Sequence, residues 1–448
     1  MTTPQRLHAT RPSASYIGGW SSGARDAAES TATALLVGDE PRIVINVARS
    51  LYRHGVRVVA AISAGAPPLR SRAIAGLHRL PDWREGTAAR ANALVAIAAR
   101  EPEVVLVPCT DTALTIVEQH EAVLRGAMRI ASPSAPVVRS VLEKNLTLDV
   151  ARQCGVEVPQ EYVLPSRVHL HDARDDLQFP LVAKPRDKTC EADFKVRYYH
   201  EFSEIDEAFA RDDSFGARHL LQRYVPGEGV LVGVVMDHST AVAVVQHRRI
   251  TELPATGGVS VLAETEPVHP KAERDSVALL DALGWHGVAA VEFRHDRATD
   301  RWVLMEVNGR FWGQHVITQH AGIDFPWLAW RLAHGETITE RYTARTGVRT
   351  LWLAGDLRRA HGLAHASTAA PDRPSAVRGI RDLLVDLAAA HHTALGDWSD
   401  PRPLIDEITR TVRTIVMDET KQIARALLPR HAWSALRAIR RGPPPTHT

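Results

Sequence analysis

The sequence predicts a parallel α/β domain, then an α+β region of antiparallel strands, then a mainly helical C-terminal stretch. Three observations support this reading. Two successive β-α-β patterns fill residues 33–107, short apolar strands follow from residue 181, and after Gly335 only helical periodicity is evident. The 448 residues suffice for about three domains at ~150 residues each.

Hydrophobic residues make up 45% and charged residues 24%, proportions that exclude a wholly disordered or fibrous chain. Lys+Arg 54 against Asp+Glu 52 leaves a formal charge of +2, so no overall field calls for nucleic acid or a membrane as partner. Cys109, Cys154 and Cys190 lie far apart without C-x-x-C spacing. Neither a disulfide framework nor a thiolate zinc site is expected, and a reducing cytoplasm fits. No apolar run reaches the ~20 residues of a spanning helix, and the N-terminus lacks a signal-peptide core. Residues 1–30, rich in Ser, Thr, Ala and Gly with Tyr16 and Trp20 as aromatic anchors, read as a flexible leader.

From Thr33 an apolar strand reaches the turn at Gly38, Pro41 opens a helix that runs to His54, and a second strand follows Gly55. A second unit places a helix at 88–100 and a buried strand at 104–107. A dinucleotide would need a glycine-rich first turn. Here it reads Gly38-Asp39-Glu40-Pro41, whose two carboxylates would repel a pyrophosphate, so a structural or substrate-lining role is expected. Residues 136–159 have helical periodicity (Val138, Val141, Leu142, Val150, Ala151, Cys154), with Gly155 and Pro159 as stop signals. Strands are expected at 181–184, 219–224, 230–236 and 241–246, the last two joined by the polar turn Asp237-His238-Ser239-Thr240. Toward the C-terminus, helices are expected at 376–390, 403–416 and 420–428. A basic stretch at 430–441 then reads as a terminal helix packed on the body or, alternatively, as a membrane or partner contact.

The most informative segment is 287–310, two alternating strands around a polar turn. A hairpin centred near Thr299 sets Glu292 opposite Glu306, with Asn308 two residues along on the same face. Val291, Phe293, Met305 and Val307 then point to a core. Facing carboxylates repel unless a cation lies between them. A hard divalent ion would satisfy two carboxylates and an amide oxygen, and magnesium commonly completes its shell with water and nucleotide phosphates. The alternative is a solvated face with Arg294 or Arg301 as counterions. Lys184, at the end of an apolar strand, is either a phosphate contact or a snorkelling surface lysine.

Glu292 followed by Glu306-x-Asn308-x-Arg310 resembles the metal-binding signature of the ATP-grasp superfamily, carboxylate-amine ligase type. Lys144, in EKNLTLDVARQCGVEVP, resembles its first nucleotide lysine, and Lys184, in FPLVAKPRD, its second. QRYVPGEG resembles the adenine hinge (Gln222, Tyr224, Val225) followed by the ribose-binding acid (Glu228). The resemblance spans roughly residues 35–335 and implies a Rossmann-like pre-ATP-grasp domain at 31–135, a small subdomain at 136–217, a large subdomain with the metal site at 218–335, and a helical region at 336–448.

It further implies ATP with magnesium, or manganese, held by Glu292, Glu306 and Asn308. Lys144 and Lys184 would reach the phosphates, and Arg310 would meet transition-state charge. One departure stands out. The family's loop after the second lysine is commonly glycine-rich, whereas residues 186–193 contain no glycine, and Glu191 and Asp193 oppose Arg186 and Lys188. Cys190 there reads as a chance cysteine. Strand alternation is taken to put Gln246 and Arg248 on the nucleotide's face, which assigns Arg248 to the phosphates and Arg249 to the surface, while Gly257-Gly258 resembles a loop bordering the acceptor. The 22 histidines show no ligand spacing, and His315 and His320 are expected within a helix near Arg310.

The implied activity is joining a carboxylate to an amine through an acyl phosphate, with release of ADP and phosphate. Small molecules, amino acids among them, are the implied substrates, and a cytoplasmic homodimer the implied form. Carboxylation, carbamoyl phosphate formation and nucleotide binding without turnover are the rival readings. Absence of G-x-G-x-x-G speaks against a dinucleotide oxidoreductase.

Overall fold

The computed structural model describes residues 32–186, 194, 196–254, 258–365 and 376–427. The leader, Cys190 and most of its loop, Gly257 and the basic stretch at 430–441 lie outside the described residues.

The first part comprises β1 (Thr33–Val37), α1 (Pro41–Arg53), β2 (Arg57–Ser63), β3 (Gly76–Leu80), α2 (Gly86–Ala98), β4 (Val104–Pro108), α3 (Asp111–Ala127) and β5 (Arg129–Ile130). Its five strands are parallel in the order β3-β2-β1-β4-β5. Every residue of β1 is buried, because alternate side chains serve opposite helical layers. Ala34 and Leu36 join Ile43, Val47 and Leu51 of α1, while Leu35 and Val37 join Leu94 of α2 and Val117 of α3. Strand order reverses between β1 and β4. The carboxyl ends of these strands, at 38–40 and 109–111, therefore flank the crevice in which open α/β sheets receive ligands.

Two helices, α4 (Ala135–Leu142) and α5 (Lys144–Gln153), occupy the helical stretch that follows. Glu143 separates them with extended dihedrals (φ −89°, ψ 107°), and the Thr147 hydroxyl donates to the Ser140 carbonyl at 2.6 Å across the break. The break sets Lys144 at the first turn of α5. Next come β6 (Glu161–Tyr162), α6 (Arg167–Asp172), β7 (Leu181–Pro185), β8 (Arg197–Tyr199), α7 (Phe202–Arg211), α8 (Phe215–Arg218) and β9 (His219–Arg223). They build an antiparallel sheet ordered β6-β9-β7-β8 over a core of Leu181, Ala183, Phe209, Phe215 and Leu221.

The third part contains β10 (Glu228–Asp237), β11 (Thr240–Leu253), β12 (Val259–Glu266), α9 (Pro270–Ala282), β13 (Gly287–Asp296), β14 (Arg301–Asn308), α10 (Val316–His320) and α11 (Phe325–Ala333). It continues through β15 (Tyr342–Thr343), β16 (Arg349–Leu351), α12 (Leu353–His365), α13 (Ala376–Ala389), β17 (His392–Thr393) and α14 (Arg402–Leu427). The strands form one sheet ordered β14-β13-β10-β11-β12-β16-β17, with β15 paired to β11.

The faces of this sheet do different things. Val230, Val232, Val234, Val291 and Phe293 pack with Leu148 and Ala151 of α5 and Leu279 of α9. Leu231, Val235, Val245 and Ala290 pack on the other side against Trp312 and α11, in a core continuous with α1 of the parallel sheet. Gly233 permits that packing, since a Cβ there would lie 2.3 Å from the Trp312 indole.

Three features depart from expectation, the first being that β15, β16 and β17 carry the large sheet into the stretch expected to be helical. Phe293 pairs with Leu304, so Met305 is the extra residue of a bulge, and Leu304 rather than Met305 enters the core. The two helices expected at 403–416 and 420–428 are one helix of 26 residues, because Met417-Asp418-Glu419 contains no breaker. Among the described residues, no helix is long and apolar enough to cross a membrane.

Candidate active site

Glu292 and Glu306 are register partners on β13 and β14, and Asn308 faces Ala290 one step along. Leu231 of β10 is the partner of both Glu292 and His247, so the acids share the face of Leu231, His247 and Trp312. Asn308 is buried and donates through Nδ2 to Glu292 Oε1 at 3.0 Å and Glu306 Oε1 at 3.2 Å. One amide thus holds both carboxylates together.

Among the described residues, the cation paired with Glu292 is Arg249, not Arg294 or Arg301. Its Nη2 forms a close ion pair with Glu292, and Nη1 reaches Glu252 at 3.3 Å and the Gly258 carbonyl at 3.0 Å. Burial works against the Arg249 charge, yet Glu292 and Glu252 outweigh it and hold the guanidinium above its ordinary pKa. Arg294 instead donates to the Gly227 carbonyl at 2.7 Å, and Arg301 pairs with Glu157. The side-chain counterion that was the alternative to a metal is thus present, on Arg249.

Arg249, expected at the surface, lies on the acids' face, and Arg248 lies on the opposite one. Since His247 shares the acids' face, odd-numbered residues of β11 point toward them and even-numbered ones away. Arg248 pairs with Glu264 at 2.7 Å and Glu266 at 3.3 Å on the far face. Glu228 shares the parity of Val230 on that same side and pairs with Arg297 at 2.9 Å, which also binds Glu266. Arg248 and Glu228 thus belong to a peripheral ion-pair chain. Alternation alone could not show this, because it fixes which residues share a face but not which face the acids occupy.

Arg310 is brought to the site by a residue the sequence reading passed over. Its Nε and Nη2 make a bidentate pair with Asp111 at 3.0 and 2.6 Å, Nη2 also donates to Asn308 Oδ1 at 3.3 Å, and Nη1 donates to the Phe311 carbonyl at 3.0 Å. Burial disfavours the charge, but Asp111 more than compensates and raises the pKa. Asp111 opens α3 beside its N-cap Thr110, at the carboxyl end of β4. The crevice of the parallel sheet therefore meets the acidic pair through one ion pair. A Thr-Asp dipeptide directly after a buried parallel strand was the available signal.

Lys184 lies next to last on β7, opposite Leu220. Burial lowers its pKa to about 8, Glu306 and Glu292 oppose that fall, and Lys144 adds to it. Among the described residues, no hydrogen bond or ion pair engages its ammonium. Lys144 donates to the Pro185 carbonyl at 3.0 Å, which brings both lysines to one strand end.

In the hinge, Gln222 is buried between Val182 and Glu161, with Nε2 lacking a partner among the described residues. Tyr224 spends its backbone N–H on the Pro180 carbonyl at 2.9 Å, and Val225 is buried. Gly227 needs its φ of +113°, and a Cβ there would lie 2.6 Å from the His295 carbonyl oxygen. His315 is fully buried, has its pKa pushed down to about 4 by that burial, and donates Nδ1–H to the Trp312 carbonyl, while His320 stacks on His392.

The donor set suits a hard divalent ion: two carboxylates in register on one face, beside an amide. Glu292, Glu306 and Asn308 would hold it once Asn308 offers Oδ1 in place of Nδ2. Arg249 would be its neighbour on Glu292.

The interior ion pair makes a direct prediction. Arg249→Met leaves Glu292 without its cation and should cost about 3–5 kcal/mol in denaturant unfolding, of which Glu292→Gln in the same chain should restore a large part. A cost below about 1 kcal/mol would show that the pair is not a buried one.

The family described as ATP-grasp in the biosynthetic pathway with Ter operon matches residues 217–355. A D-alanine--D-alanine ligase of Acidiphilium cryptum is 29% identical over 201 residues, which is 42% of this chain and 65% of that ligase, so the chain spans just under two thirds of that relative. The L-amino acid ligase of Bacillus licheniformis superposes with a TM-score of 0.57 at 15% identity, covering 72% of this chain and 79% of that one. The biotin carboxylase of Campylobacter jejuni, solved as a β-γ-ATP complex, also gives 0.57 at 15% identity, covering 70% and 74%. Residues 217–355 thus match an ATP-grasp family, and the chain shares the fold of these solved enzymes.

Proposed function

We propose that the chain is an ATP-dependent ligase that joins a small-molecule carboxylate to an amine, with amino acids as the substrate class. The observation that carries this reading is the facing pair Glu292–Glu306, joined by Asn308 and bordered by Lys184 and the Arg310–Asp111 pair. The D-alanine--D-alanine ligase and L-amino acid ligase relatives support it.

In this reading Lys184 and Lys144 contact the nucleotide phosphates, and Gln222, Tyr224 and Val225 form the wall against the adenine. Arg249, rather than Arg248, supplies the cation beside Glu292. Magnesium, or manganese as another hard oxygen-seeking ion, would offset phosphate charge when held by Glu292, Glu306 and Asn308.

The substrate carboxylate attacks the γ-phosphorus, the bond to the bridging oxygen breaks, and ADP leaves an acyl phosphate. The amine then adds to that carbonyl, and collapse of the tetrahedral adduct expels phosphate. Arg310 is suited to the oxyanion. Asp111 and Phe311 fix its plane, and one Nη1 hydrogen is left for a substrate oxygen. Asp111 would keep that guanidinium from turning, so the donor is positioned before charge develops. A cytoplasmic homodimer belongs to the same proposal.

A second reading, nucleotide binding without turnover, draws on Arg249, which already neutralises Glu292. ADP release that requires both an acid and an amine separates the two. A screen of amino-acid pairs for phosphate release, with mass analysis of the product, should find such a pair, and Glu306→Gln should lower its turnover at least 100-fold while the thermal transition stays sharp. Retained turnover in Glu306→Gln would reject the metal assignment, and AMP in place of ADP would reject the acyl phosphate.

Lys184 gives a pH signature. With the free group near 8 and a phosphate raising it, the proton is present in both states at pH 7 and must be taken up on binding above 8. Nucleotide affinity should hold below pH 8 and then fall by roughly tenfold per unit as pH rises. Calorimetry in buffers of different ionisation enthalpy should show the proton uptake at pH 9, and Lys184→Arg should remove it. An affinity flat from pH 7 to 9 would contradict the contact.

A further inference from the structure

The opposite end of the β10–β11 hairpin carries a second cluster of ligand-bearing side chains, away from the acidic pair. Asp237 ends β10, His238 forms the turn, and His286 precedes β13. One potential ligand atom from each lies within 4.8 Å of the other two. His286 Nδ1 is 3.8 Å from Asp237 Oδ1 and accepts the His238 backbone N–H at 3.1 Å. In the neutral ring that hydrogen bond places the proton on Nε2 and directs the Nδ1 lone pair to the His238 N–H, with the carboxylate oxygen 3.8 Å away.

Three further features suit a ligand. The His238 and His286 rings stack at 4.5 Å and 24°. His238 adopts φ +49°, an uncommon conformation for a residue other than glycine, and this holds its imidazole in the turn next to His286. The cluster opens on a cavity of about 460 Å³, also lined by Thr240, Glu336 and Thr339. Asp237 Oδ2 meanwhile accepts the Ile338 N–H at 3.0 Å, an outer contact that orients the carboxylate.

We propose that Asp237, His238 and His286 form a binding site for a borderline divalent cation, zinc, cobalt or nickel, that staples the β10–β11 turn to the start of β13. Two imidazoles and one carboxylate are the donors such ions prefer, and they differ from the oxygen-only set at Glu292 and Glu306. Metal–ligand bonds of about 2.0–2.2 Å require the three atoms to draw together by roughly 1 Å, which the exposed His238 ring can supply, and the His286 bond to the His238 N–H is exchanged for the metal. A fourth position remains open to the cavity. The site would brace β10 and β13 at the end remote from the hinge and the acids.

The test uses tag-free, full-length protein titrated with Zn²⁺ or Co²⁺ alone. A bound ion with an imidazole signature in the Co²⁺ spectrum is expected, together with a rise in the unfolding temperature with Zn²⁺. His286→Ala should weaken binding at least tenfold. His238→Asn should do the same, since asparagine tolerates the left-handed turn but removes the imidazole, and it decides the matter if His286→Ala does not fold. Glu306→Gln should keep both the spectrum and the thermal shift. Binding unchanged in both histidine variants, loss of binding in Glu306→Gln, or no bound ion would each overturn the site.

Discussion

Two carboxylates in register within one β-ribbon must be compensated, and the neighbourhood of Glu292 and Glu306 is organised around that requirement. Asn308 bridges them, Arg249 neutralises one, and Lys184 and Arg310 add positive potential. These groups come from different parts of the chain. Lys184 stands on the small antiparallel sheet, Arg249 on the large sheet, and Arg310 is clamped by Asp111 from the parallel sheet. The electrostatic demand of one hairpin thus ties three layers together, and the crevice between them is where a polyanionic substrate would find cations already arranged.

The hydrophobic packing supports the same arrangement. The face of the large sheet that bears the acids continues into Leu231, Val245 and Trp312, and that core extends to α1 of the parallel sheet. The opposite face is sealed by α5 and α9. Lys144 heads α5, so the helix that closes one side of the sheet also carries a cation to the strand end where Lys184 lies. Site and core are built from the same elements, which is why the acids cannot separate without moving the sheet.

Local signals in the sequence were enough for the β-α-β units and for the pairing of Glu292 with Glu306, since both depend on short-range alternation and turn chemistry. What failed depended on longer-range facts. A bulge at Met305 is invisible to a symmetric hairpin count, yet it decides that Leu304 faces the core. Arg248 and Arg249 could be ordered correctly only with the β10–β11 register in hand. Asp111 reaches Arg310 across 199 residues, a contact that no local pattern encodes. The single long α14 escaped because a polar Met-Asp-Glu stretch reads as a break although nothing in it stops a helix. Family resemblance supplied the order of the motifs, and the register corrected which side chains meet.

In the proposed function the facing acids form a metal seat that Arg249 shares. A crystal grown with Mn²⁺ and a non-hydrolysable ATP analogue tests this most directly, through the anomalous signal of the ion. The account predicts a peak bounded by Glu292, Glu306 and a reoriented Asn308 amide, with the analogue's phosphates against it. A nucleotide bound with no peak between those carboxylates, and Asn308 Nδ2 still bridging them, would contradict it.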